Sequence, residues 1–174
     1  LTDLHYQKPS RWNVYQPETY KLPRRLTGLQ DLCFVMHQKV HLAGFSFTRQ
    51  SRAWQQLSAL EADALYGDSF TRTADCVAGI GNNVSLEYHQ MDFEDREQAT
   101  LVITGATPLR ENPITLRMLD AQGNEHTEMV TFTGGEGFSE QRFPVAVPKG
   151  VCSLTFVFLP GSNFDFRSFR FEKA

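Results

Sequence analysis

Between residue 57 and the C-terminus, apolar and polar residues alternate in short runs at 84–88, 99–104, 114–119, 128–132, 142–147, 153–159 and 164–171. A period of two places alternate side chains on one face of a sheet. Gly, Pro, Asn and Asp punctuate the runs at the spacing of an antiparallel sandwich. Asp120-Ala-Gln-Gly123-Asn124 has the composition of a hairpin turn, with a glycine able to take a positive φ. The fold class expected is all-β, an antiparallel β-sandwich of jelly-roll type. Only 49–62, RQSRAWQQLSALEA, reads as helical. Its first part, 49–57, is expected to be a linker helix with Trp54 and Leu57 packed down, and its end the entry into the first strand.

The pattern occurs twice. Residues 26–47, LTGLQDLCFVMHQKVHLAGFSF, and 148–171, PKGVCSLTFVFLPGSNFDFRSFRF, share a glycine (Gly28, Gly150), an alternating run through Phe-Val, a polar turn, and closing aromatics two apart: Phe45 and Phe47, Phe169 and Phe171. Each copy reads as strand, turn, strand, and repetition of this kind decides the architecture. The second copy closes a complete sandwich over 58–174. The first, within 1–48, is expected to be the C-terminal strands of a partial sister sandwich. Its apolar residues Leu32, Phe34, Val35, Leu42, Phe45 and Phe47 then lack a covering sheet. A homodimer or a tight intramolecular dock through residues 12–47 is expected to cover them.

The chain has 174 residues, of which 41% are hydrophobic, enough for one substantial core. No run approaches the length of a membrane span. A net charge of -3 argues against nucleic acid or an anionic membrane as main partner, and the pair Arg24 and Arg25 is too small to change that. Leu1 opens on polar residues with no secretion leader, and a start without Met is expected of a segment cut from a longer protein. Cys33, Cys76 and Cys152 form no CxxC pair and have no histidine at zinc spacing. Cys33 and Cys152, beside Leu and Phe, are expected to be buried reduced thiols.

Two constellations carry candidate chemistry. In Leu60-Glu61-Ala62-Asp63-Ala64, read as an edge strand, Glu61 and Asp63 share one face. Side-by-side carboxylates repel unless a cation sits between them, and calcium takes several oxygens; Asp165 supplies a third if the first and last strands pair. The alternative is a set of solvated charges guarding an edge. The second constellation is a group of turns, Gly81-Asn82-Asn83, Gly134-Gly135-Glu136-Gly137-Phe138 and Gly161-Ser162-Asn163. Sugar recognition needs an aromatic face together with amides or carboxylates for the hydroxyls, and loops at one end of a sandwich can converge to supply them. Catalytic patterns are poor: the five histidines are scattered, the acids lie mostly in turns such as Glu94-Asp95-Arg96-Glu97, and no glycine loop cradles phosphate.

In order and spacing, LEADALYGDSF, IGNNVSLEYHQMDF, NPITLRMLDAQG and FVFLPGSNFDFRSFRFEK resemble the strands of carbohydrate-binding module family 6 and its galactose-binding-like relatives. In wording they are closest to modules at the C-terminus of bacterial glycoside hydrolase family 2 β-galactosidases. The resemblance covers 57–173, and 10–47 resembles the last strands of another such module. It implies a non-catalytic jelly roll appended to a glycosidase, with a structural calcium held by Glu61, Asp63 and Asp165. It implies a sugar cleft with Asn163 as the terminal-loop amide and Phe138 as the aromatic platform, Trp12 being its counterpart in the partial copy. Where many binders read Gly-Asp-aromatic, this chain reads Gly81-Asn82-Asn83, so one stacking face is missing. Two functions stay open: a module binding galactosides or plant polysaccharide for its parent enzyme, or a structural domain packing against that enzyme or closing a dimer, its cleft vestigial.

Overall fold

The computed structural model describes residues 2–20, 22–23, 26, 29–47 and 51–173. It divides into two units, Leu1–Thr48 and Arg49–Ala174, each described here by itself. Gly28, Arg24, Arg25 and the first two residues of the expected helix, Arg49 and Gln50, lie outside the described residues.

In the first unit no described residue belongs to a helix or strand. Side chains tie residues 6–9 to 16–18: Tyr6 Oη donates to the Gln16 carbonyl at 3.4 Å, and Gln16 Nε2 donates to the Pro9 carbonyl at 2.7 Å. The strands expected over 26–47 are not formed among the described residues. Strand hydrogen bonds need a neighbouring strand and an apolar face needs a cover. Phe34, Val35, Phe45 and Phe47 are exposed, as is Trp12, at 96%. Cys33 is exposed as well, contrary to expectation, because the strand that was to bury it is absent.

The second unit begins with a 3₁₀ turn, Arg52–Trp54, followed by β1 (Leu57–Ser58), a second 3₁₀ turn at Ala59–Glu61 and β2 (Ala64–Tyr66). The expected continuous helix is therefore two short turns, because serines cap both. Ser51 Oγ accepts from the Ala53 N–H, and Ser58 forms a capping box with Glu61. Trp54 and Leu57 do pack down, Trp54 edge-on against Phe93 at 5.6 Å and Leu57 opposite Phe169. Nine strands follow: β3 (Thr71–Arg72), β4 (Val77–Ile80), β5 (Val84–Asp92), β6 (Gln98–Ala106), β7 (Glu111–Asp120), β8 (Glu125–Thr133), β9 (Ser139–Ala146), β10 (Val151–Phe158) and β11 (Phe164–Lys173).

These strands form two antiparallel sheets. One runs β3-β4-β11-β6-β9, with β1 also on β11; the other runs β2-β5-β10-β7-β8. Each of the seven alternating runs of the sequence falls on one of β5 to β11, overrunning its strand by one residue at Val147 and Leu159. The hairpin at 120–124 closes with Asp120 N donating to the Asn124 carbonyl at 3.0 Å and Gly123 at φ +86. Between the sheets lies an aromatic core of Tyr88, Phe93, Phe132, Phe156, Phe158, Phe164, Phe166, Phe169 and Phe171, all essentially buried. In β11 the inward rings are spaced two, three, two. A spacing of three would turn half of them outward. A register shift between Phe166 and Ser168 absorbs the odd residue, so Phe164 and Phe166 face the same core as Phe169 and Phe171.

Candidate functional site

At one end of the sandwich, the end of β6, the chain after it, the β8–β9 loop and the start of β11 surround a depression of about 370 Å³. Ala106, Thr107, Pro108, Gly135, Gly137, Asn163 and Asp165 line it. Close packing sets its shape: a Cβ on Gly134 would lie 1.9 Å from the Leu109 carbonyl oxygen, so the β8–β9 loop can approach the 107–110 segment only as glycine.

Asn163 is held by its backbone alone. Its N–H donates to Asn112 Oδ1 at 3.1 Å, and its carbonyl accepts from Thr107 Oγ1 at 2.6 Å. Asn112 and Thr107 are among the few buried polar residues of the unit, at 0% and 4% exposure, and Asn112 Nδ2 donates to the Pro113 carbonyl. The exposed Asn163 amide is thereby left to face the depression on a fixed main chain. Asp165 Oδ1 accepts from the Gly79 N–H at 2.7 Å.

The other expected sugar contacts do not converge here. Asn82 and Asn83 sit exposed on the β4–β5 turn, Asn83 at φ +57, and neither lines the depression. Glu136 is exposed on the β8–β9 loop but is not among the lining residues. Nor is Phe138: the Arg167 guanidinium lies 3.7 Å from its ring centroid and pairs with Asp75 at 2.8 Å. That cation covers one ring face of the expected platform. Asn112, Thr107 and Arg167 were not legible as site residues, since each acts on a segment far away in sequence.

A second, smaller groove of about 240 Å³ runs over the outer face of the β2-containing sheet, lined by Tyr66, Ser85, Glu87, Arg117, Leu119, Glu125, Ser153 and Thr155. Arg117 and Glu125 form a two-pronged pair at 3.1 and 2.5 Å across adjacent strands. Tyr66 is exposed at the edge. Ser153, His89 and Glu87 meet nearby, yet Ser153 Oγ at 3.1 Å and Glu87 Oε1 at 3.5 Å both approach the same ring nitrogen, Nδ1. A nucleophile, base and orienting acid need opposite nitrogens of the imidazole, so this cluster has no proton-relay geometry.

The carboxylates assigned to calcium are apart and engaged. Glu61 belongs to a 3₁₀ turn rather than a strand, and its carboxylate accepts from the Ser58 N–H at 2.7 Å. Asp63 accepts from Arg52 and from the His89 N–H at 2.7 Å. Burial alone would raise the Asp63 carboxyl, but the His89 N–H and Arg52 outweigh it and hold it below the ordinary aspartate value. Asp165 is taken up by Gly79. Among the described residues no three His, Cys, Asp or Glu side chains gather in a set that would hold a metal ion. Glu61, Asp63 and Asp165 therefore do not fit a calcium site. Among the described residues no helix is long and apolar enough to cross a membrane.

No family model and no curated protein matches the chain. Solved structures do. A family 6 carbohydrate-binding module studied by sub-site dissection superposes at a TM-score of 0.60, 15% identical over 70% of this chain and 95% of its own. A family 6 module from Clostridium stercorarium, solved with cellobiose, gives 0.57 at 22% identity over 70% and 95%. A β-1,3-glucan-binding family 6 module from Bacillus halodurans gives 0.54 at 20% over 70% and 97%. The fold is that of the family 6 carbohydrate-binding modules. Within this family 6-type sandwich, the depression beside Asn163 and the groove on the outer sheet face are the two concave surfaces described above.

Proposed function

We propose that the second unit is a non-catalytic carbohydrate-binding module, appended to a glycoside hydrolase of the family 2 β-galactosidase type and holding it to galactosides or plant polysaccharide. The observation that carries this reading is Asn163, an exposed amide on a backbone clamped by Asn112 and Thr107, facing a depression that glycines keep open. A planar amide with a free donor and acceptor is suited to adjacent sugar hydroxyls. The site is shallow and lacks an open aromatic platform, so dissociation constants of roughly 0.1–1 mM, about 4 to 5.5 kcal/mol, are expected. Titration calorimetry and affinity gels with galactose, lactose and soluble polysaccharides test this: wild type binds at least one glycan and Asn163→Ala loses it.

Arg167 over Phe138 favours a second reading, a structural domain of the parent enzyme with a vestigial cleft. No binding by wild type to any glycan of the panel would decide for it. For the first unit we propose the closing strands of a sister sandwich.

A further inference from the structure

The segment entering the second unit carries its own cation. The Arg52 guanidinium donates from Nη1 to Asp63 Oδ2 and, at 3.0 Å, to the His89 carbonyl; Nη2 donates to the Glu61 carbonyl at 2.9 Å. Asp63 Oδ2 is fixed in turn by the His89 N–H at 2.7 Å. The guanidinium carbon lies 5.6 Å from the Tyr88 ring centroid, and the Arg52 side chain is only 12% exposed. Tyr88 Oη donates at 3.3 Å to the Ser58 and Ala59 carbonyls, fixing the adjoining stretch.

One carboxylate and two main-chain carbonyls converging from two stretches of chain, 61–63 and 89, are donors of the kind a hard divalent cation takes. Here a planar cation with a rigid fork of donors satisfies all three. A metal ion could enter only by expelling the guanidinium from its carboxylate, and Glu61 and Asp165 each already accept from a main-chain N–H elsewhere.

We propose that Arg52 is a built-in replacement for a structural metal: it closes the corner between the entry segment, the start of β2 and β5, and calcium adds nothing to the stability of this unit. The sandwich then keeps its fold in calcium-poor or chelating surroundings.

Thermal melting of the full chain tests this. Wild type should melt at the same temperature, within about 1 °C, in EDTA and in millimolar calcium, because no site gains from binding to the folded state. Arg52→Ala should melt on the order of 5 °C lower, and guanidinium at low millimolar concentration, far too dilute to denature, should restore part of the loss. Arg52→Lys should fall between the two, since one compact ammonium cannot span three separated oxygens. Calcium-dependent stabilisation of wild type, or an Arg52→Ala protein that melts like wild type, would overturn the proposal. Should Arg52→Ala fail to fold, the wild-type calcium series and Arg52→Lys decide alone: a lysine variant equal to wild type would also overturn it.

Discussion

Asn112→Ala separates what holds the depression from what would touch a ligand. Asn112 is fully buried, and its Oδ1 is the acceptor for the Asn163 N–H at 3.1 Å. Truncation leaves that N–H without its partner, worth about 1–3 kcal/mol, and opens a small void that adds about 1 kcal/mol. The sum, about 2–4 kcal/mol, lowers the melting temperature of a unit this size by roughly 8–15 °C. Asn163→Ala leaves every backbone bond of the clamp in place and removes only an exposed amide, so its cost should stay below about 0.5 kcal/mol. Differential scanning calorimetry reads the first effect, and retention on a glycan that wild type binds reads the second. The expected pattern is a large stability loss with weakened binding for Asn112→Ala, and lost binding at unchanged stability for Asn163→Ala. Equal destabilisation by both would show that the Asn163 side chain is structural and would refute the assignment of roles.

Gly134→Ala should destabilise by about 2–3 kcal/mol in chemical denaturation, since its Cβ would lie 1.9 Å from a backbone oxygen that cannot swing away; a change under 0.5 kcal/mol would contradict the packing described. Hydrogen bonds from Arg170 to Glu140 and from Arg142 to Glu172 lower both carboxyls below their ordinary 4.5. Groups with a depressed folded value stabilise above the unfolded value and lose that contribution as pH falls through the folded one, so melting temperature should be flat above about pH 5 and fall below pH 4.5. Burial pushes the Cys152 thiol up to about 12, and Cys76 is buried too, whereas Cys33 is exposed. A thiol reagent at pH 8 should therefore label Cys33 quickly and the other two only on unfolding.

The strands of the second unit were legible because each buries one face, and a half-buried strand must alternate. The runs at 153–159 and 164–171 lie on β10 and β11. Where alternation stops, so does legibility: β4 (Val77–Ile80) is four residues long and buried only at its ends. The helix read into 49–62 had the right apolar spacing at Trp54 and Leu57, but Ser51 and Ser58 compete for the backbone and break it into two turns. Asn163 was recognisable from its loop and its family-like context. Its clamp was not, because Thr107 and Asn112 lie 56 and 51 residues away and have no pattern of their own. The carboxylates of the calcium reading meet Arg52 at Asp63 and main-chain N–H groups at Glu61 and Asp165. Two carboxylates need a cation, and the sequence offers no means of telling a metal from Arg52, eleven residues upstream of Asp63.

The repeat carries the last prediction. In the second unit Phe156 and Phe169 pack at 4.7 Å, and Phe169 and Phe171 at 6.0 Å edge to face. In the first unit Phe34 and Phe45 pack at 4.9 Å, and Phe45 and Phe47 at 5.8 Å edge to face. By the shared Gly and Phe-Val offsets these are the same pairs, so the copies agree in local ring contacts and differ in cover. Phe156, Phe169 and Phe171 are 0–2% exposed, while Phe34, Phe45 and Phe47 are 46–57% exposed. Phe156 and Phe169 meet between the two sheets of the sandwich, whereas Phe34 and Phe45 meet where no described residue belongs to a strand. At about 25 cal/mol per Å² an uncovered apolar face of several hundred Å² favours association by several kcal/mol. The full chain should therefore self-associate at tens of micromolar in sedimentation velocity, while a chain starting at Arg49, the beginning of the second unit, stays monomeric and Phe34→Ser with Phe45→Ser in the full chain abolishes association. A full chain that stays monomeric at those concentrations, with 26–47 cleaved readily by protease, would show that the rings do not form a docking face and would remove the ground for a sister sandwich.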